Sequence, residues 1–100
     1  MDIAEIGKKI YEIQKKRVSE FGLVLTPELV FMHLSEEIGE IARQLLNKNL
    51  AMRKYSEDNL KEEIVQAILD LFVLSEIIKI DLQKEINRKM DDIAKRATAD

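Results

Sequence analysis

The chain has no cysteine, no tryptophan, one proline and three glycines in 100 residues, and only 5 % of it is aromatic. Without cysteine it has neither a disulfide framework nor a thiolate zinc site. With so few breakers, long helices are favoured over many short strands joined by turns. No apolar run approaches the ~18 residues that a membrane-spanning helix needs. A surplus of positive charge is lacking too. Sixteen Lys and Arg are interspersed with 19 Asp and Glu, for a net charge of −3, so there is no basic footprint for a nucleic-acid backbone. Met1-Asp2-Ile3-Ala4-Glu5 is charged and amphipathic, unlike the start of a signal peptide. These absences lead us to expect a soluble, cytoplasmic protein with neither a membrane nor a nucleic acid as partner.

What is present suits a globular chain, with 46 % apolar and 35 % charged residues. Its length fits one domain over residues 1–100. A core this small often gains stability by self-association. Four helices are expected. The first runs from about Asp2 to Phe21, with Ile3, Ile6, Ile10, Ile13 and Val18 near a 3.6-residue repeat and Lys8, Lys9, Lys15 and Lys16 opposite; Gly22 is its stop. Thr26 caps the second, Pro27 takes its first position and Glu28 its first turn, and it continues to about Asn47. The segment 47–55 reads as a loop with some helical turns. Ser56 caps the third helix, which reaches about Lys79, and Asp81 caps the fourth, which ends near Ala97. Short links between long helices make an all-α, four-helix bundle-like domain. Ala67-Ile68-Leu69-Asp70-Leu71-Phe72-Val73-Leu74 is apolar on every side except at Asp70. A helix of that kind lies inside a bundle or in an oligomer interface.

The acidic residues of the second and third helices carry the chemical signal. In Glu36-Glu37-Ile38-Gly39-Glu40, Glu37 and Glu40 lie ~60° apart and one turn along the axis. In Glu62-Glu63-Ile64-Val65-Gln66, Glu63 shares a face with Gln66 and, one further turn on, Asp70. Glu63 and Asp70 are ~20° apart in azimuth but roughly 10 Å apart along the axis, too far for one ion to bridge easily. Both patches sit in apolar stripes, where a carboxylate needs a cation. A buried Lys or Arg partner would serve Asp70 equally well, and Glu36, Glu37 and Glu40 would also suit a solvated face paired with Arg43 and Gln44. Oxygen donors without sulfur point to Mg²⁺ or Mn²⁺, and the lack of a Glu-x-x-His spacing argues against di-iron. His33 stands one turn before Glu37 on the same face. On the fourth helix, Lys89 and Arg96 are the candidate phosphate contacts, with Asp92 and Lys95 near them. Two facing acidic helices suggest an enzyme that works on phosphates.

These residues resemble the MazG-like all-α nucleoside triphosphate pyrophosphohydrolases, whose signature is E-x-x-E on one helix and E-x-x-D on the next. Glu37-Ile38-Gly39-Glu40, preceded by His33-Leu34, matches the first half. Glu62-Glu63-Ile64-Val65 matches the start of the second, and Ile80-Asp81-Leu82 with Arg88-Lys89-Met90-Asp91 is similar to the approach to the last helix. The resemblance covers roughly residues 26–96. Gln66 stands where the family has Asp, and Ile93 where it has Asn. The resemblance implies hydrolysis of a nucleoside triphosphate to the monophosphate and pyrophosphate. It implies Glu37, Glu40 and Glu63 as catalytic groups, with these three, Gln66 and Asp70 holding Mg²⁺ or Mn²⁺. Lys89, Arg96 and His33 would then meet the substrate, in a homodimer or homotetramer. The neutral Gln66 leaves two alternatives open: a nucleotide- or metal-binding relative with weakened turnover, and a purely structural helical oligomer.

Overall fold

The computed structural model describes residues 1–50 and 55–98, and these form four α-helices: α1 (Ile3–Ser19), α2 (Pro27–Leu50), α3 (Glu57–Ile77) and α4 (Leu82–Thr98). The fold is all-α and bundle-like, as the scarcity of breakers implies. Each helix opens on a short polar side chain that accepts a hydrogen bond from an otherwise orphaned amide. The amide of Glu5 donates to Asp2 Oδ1 (2.8 Å), that of Leu29 to Thr26 Oγ1 (3.2 Å), that of Asn59 to Ser56 Oγ (3.2 Å) and that of Lys84 to Asp81 Oδ1 (3.2 Å).

The stops differ slightly from expectation. α1 ends at Ser19, and the chain reverses through Gly22 at φ +73°, with the Leu23 amide bonded back to the Val18 carbonyl (3.0 Å). α3 ends at Ile77 and reverses through Lys79, which takes the left-handed conformation at φ +61° while the Ile80 amide reaches the Ser75 carbonyl (2.9 Å). A glycine fits that position without steric cost. α2 continues three residues beyond Asn47, so the expected loop begins later; residues 51–54 lie outside the described residues.

α2 packs along α3, α1 packs on α3, and α4 packs on α1. The core is thin. Val30, Leu34, Ala67 and Val73 are its buried apolar side chains, and Val73 alone is almost fully enclosed, at 1 % exposure. The polar residues Gln44 and Asp70 are buried beside them. Gln44 Oε1 accepts from the Ser56 amide (3.0 Å), which ties the far end of α2 to the start of α3. α3 is covered less completely than its apolar sequence suggests. α1 and α2 enclose Ala67, Asp70 and Val73, but Ile64, Val65, Ile68 and Leu71 remain exposed. Among the described residues no helix is long and apolar enough to cross a membrane.

Two substitutions test this account by chemical denaturation. Val73→Ala should cost about 1–3 kcal/mol, because its surroundings offer little to fill the gap. Lys79→Gly should stabilise by roughly 0.5–1 kcal/mol, because the left-handed position then carries no Cβ penalty.

Candidate metal and phosphate site

The packing of α2 on α3 brings the two acidic patches face to face. Glu63 is the centre of the group. Its Oε2 is buried and has no hydrogen-bond partner. Desolvation, followed by the negative charges of Glu40 and Glu37, pushes its carboxyl above the ordinary range; Glu62 adds to this and Arg43 opposes it. Arg43 is itself committed to Glu40, with Nη1 3.1 Å from Oε1, in an exposed pair. Carboxylates from two helices therefore act on one another, and among the groups that act on Glu63 Arg43 opposes them.

Asp70 solves its burial differently. It is only 4 % exposed, and both its oxygens are taken. His33 Nδ1–H donates to Oδ2 (2.8 Å) and the Gln66 amide donates to Oδ1 (3.0 Å). A carboxylate only accepts, so the Nδ1 proton is fixed by the pairing. The His33 ring then places Nε2 3.8 Å from Glu37 Oε1. The partner of the buried Asp is thus a histidine and a glutamine rather than a Lys or Arg. His33 was legible as a neighbour of Glu37, but not as the partner of a residue 37 positions away.

Two cavities meet at this network and share Glu37 and Gln66. One, of about 450 Å³, lies between α1 and the α2–α3 pair. Its walls are mixed: Val18, Phe21, Leu29 and Val73 line it together with Arg17, His33 and Asp70. The other opens over Glu37, Glu62 and Glu63, with Lys61 at its edge. No residue of α4 lines either cavity. Lys89 and Arg96 are exposed and lean on Asp92, at 4.0 and 3.3 Å. The fold thus brings together His33, Glu37, Glu40, Glu63, Gln66 and Asp70 and leaves Lys89 and Arg96 apart. The cations it brings to the cavities are Arg17 and Lys61. Neither stood out in the sequence, since each is one of many Lys and Arg on an outward-facing pattern.

The chemistry of the donor set suits a hard divalent cation: oxygen ligands, an unpartnered buried Oε2 and uncompensated negative charge. Glu37, Glu40 and Glu63 are the residues with capacity for one, since Asp70 already has both oxygens bonded. As placed, no three His, Asp or Glu side chains among the described residues converge closely enough to hold one ion. Binding would require the carboxylates to turn inward. No family model, curated protein or solved structure matches the chain.

A raised pKa for Glu63 means that the folded state holds its proton more tightly than the unfolded one. Its contribution to stability is present at acid pH and is lost as pH rises through the raised value. Glu63→Gln should therefore raise the melting temperature at neutral pH without added metal. The gain should shrink as the pH falls through that range. A melting series across pH 4–8 checks this; a variant less stable at neutral pH would contradict it. Asp70→Ala should cost about 1–3 kcal/mol in the same assay, because it leaves the Gln66 amide and the His33 ring without their partner.

Proposed function

We propose that the protein is a divalent-metal-dependent hydrolase of nucleoside triphosphates, releasing the monophosphate and pyrophosphate, and that it works as a homo-oligomer. The observation that carries this reading is the unpartnered, buried Oε2 of Glu63 facing Glu37 and Glu40. Such a group is costly in the absence of a cation and gains from one. The motif resemblance supplies the reaction class.

Within this reading each part of the site has a task. Glu37, Glu40 and Glu63 would hold Mg²⁺ or Mn²⁺, which, when bound, neutralises phosphate charge and acidifies bound water. A carboxylate oxygen left free by the metal accepts the proton of the attacking water. The water oxygen bonds to the α-phosphorus as the bond to the bridging oxygen breaks, and pyrophosphate leaves with that oxygen. Arg17 and Lys61 provide positive charge at the cavity edges for the polyphosphate. The neighbouring cavity, of about 450 Å³, gives the base apolar side chains such as Val18, Phe21 and Leu29 to pack against. His33 and Gln66, through Asp70, keep the wall between the two compartments in one arrangement.

A second reading is favoured by one specific feature. Gln66 carries no charge, and its amide is spent on Asp70. A site with one anion fewer binds a divalent ion more weakly, and the protein would then bind nucleotide with little turnover.

The test follows melting temperature and released pyrophosphate in the same wells, across nucleoside triphosphates with Mg²⁺ or Mn²⁺. Metal-dependent stabilisation together with pyrophosphate is expected, and Glu63→Gln should lower the rate by at least about a hundredfold. Stabilisation without product would favour the binding protein, with Gln66→Asp as the variant that restores turnover. No response to metal or nucleotide would reject both readings.

A further inference from the structure

Four side chains meet at the boundary between the two cavities, two from each helix. His33 and Glu37 stand one turn apart on α2, and Gln66 and Asp70 one turn apart on α3. The helices run antiparallel, with His33 opposite Asp70 and Gln44 opposite Ser56. Glu37 is therefore level with Gln66. These two line both cavities, whereas His33 and Asp70 line the α1 cavity alone and Glu62 and Glu63 the acidic opening alone.

Two donors converge on Asp70, which is 4 % exposed. The Gln66 amide reaches Oδ1 (3.0 Å) and His33 Nδ1–H reaches Oδ2 (2.8 Å). Among the described residues the second is the one side-chain-to-side-chain hydrogen bond that joins α2 to α3. Without the Gln66 donor, Oδ1 would be buried and unpaired, which is costly for a carboxylate. Gln66 lies between Glu63, one turn before it, and Asp70, one turn after it. Its amide is turned to Asp70, away from the carboxylate that lacks a partner.

The His33 ring, pinned at Nδ1, has Nε2 3.8 Å from Glu37 Oε1. That is beyond hydrogen-bond reach, so the ring acts on Glu37 by the space it fills. The Glu37 side chain is only 20 % exposed, which leaves it few directions to turn. The ring stands on its α1 side and limits how far the carboxylate swings into that cavity.

We propose that Gln66 is a positioning residue rather than a metal ligand. Its amide holds Asp70, Asp70 holds the His33 ring, and the ring keeps Glu37 available to the cation site with Glu40 and Glu63. The proposal rests on the cation-site reading above but reverses the role that the motif resemblance implies for position 66. It also joins two features of the sequence, the neutral Gln66 and the buried Asp70. An ionised acid at position 66 has no proton to donate and sets a like charge against Asp70. The two positions form a donor–acceptor pair, so a change in one is compensated only by a change in the other.

The test uses the fact that the chain has one histidine, so its imidazole signals need no assignment. With isotope-labelled histidine, magnetic resonance of the nucleotide-free wild type should show a proton on Nδ1 that exchanges slowly with water. Gln66→Glu keeps the reach of the side chain and removes the donor, and that proton should then exchange at least about tenfold faster. Mn²⁺ binding, read from the paramagnetic resonance of the free ion, should weaken about 10–100-fold in Gln66→Glu even though the variant adds an anion. The rate of pyrophosphate release should fall with it. Combining Gln66→Glu with Asp70→Asn puts a donor back with the roles exchanged: the new amide donates to the new carboxylate, and its oxygen accepts from Nδ1–H. The double variant should recover most of the loss in all three readouts. Tighter Mn²⁺ binding by Gln66→Glu would overturn the proposal and make position 66 a ligand. A double variant no better than Gln66→Glu would overturn it as well. So would a wild-type ring protonated only at Nε2, a result that needs no variant to fold. Wild type that binds Mn²⁺ and releases no pyrophosphate rejects the hydrolase reading alone, and the histidine and Mn²⁺ comparisons still decide the role of Gln66.

Discussion

The packing of α2 against α3 forces carboxylates together, and most of the molecule's chemistry follows from how that conflict is handled. Asp70 is hydrogen-bonded locally, by a histidine from the neighbouring helix and a glutamine from its own. Glu63 is not. Its Oε2 is buried without a partner while Glu37 and Glu40 repel it. A chain with 16 basic side chains has material enough to pair one more carboxylate. Instead Arg43, which acts on Glu63 only through its charge, is bonded to Glu40 at the surface. An uncompensated charge retained at the seam between two helices is the kind of local disagreement that marks a binding site.

The rest of the fold divides labour between the faces of that helix pair. On one face α1 completes a cavity of mixed apolar and polar walls, which shares Glu37 and Gln66 with the acidic opening. Elsewhere on the pair Ile64, Ile68 and Leu71 of α3 are exposed. Among the described residues four apolar side chains are buried, so the core is small.

Much of the fold was legible because its signals are local. The caps Thr26, Ser56 and Asp81 each act within one turn, so the sequence around them suffices. The helix ends were less legible. Lys79 stands in a left-handed position that glycine normally marks, and α2 runs past Asn47 where no breaker stops it. The acidic patches were readable from spacing, since carboxylates three or four residues apart share a helix face. The partner of Asp70 was not, because the choice between a histidine, a lysine and a cation depends on which residue the opposite helix brings to its level. For the same reason the placement of Lys89 and Arg96 escaped a reading by helix face: a face says nothing of which neighbour it meets, and α4 meets α1.

The central claim is that Glu37, Glu40 and Glu63 form a cation site, and Mn²⁺ binding followed by electron paramagnetic resonance tests it most directly. The signal of free Mn²⁺ is read as the ion is added to the nucleotide-free chain, to the chain with a non-hydrolysable nucleoside triphosphate, and to Glu63→Gln. The account predicts saturable loss of free signal with wild type, strengthened by nucleotide and largely abolished in Glu63→Gln. Unchanged free Mn²⁺ with wild type in both conditions, or equal binding by Glu63→Gln, would contradict it.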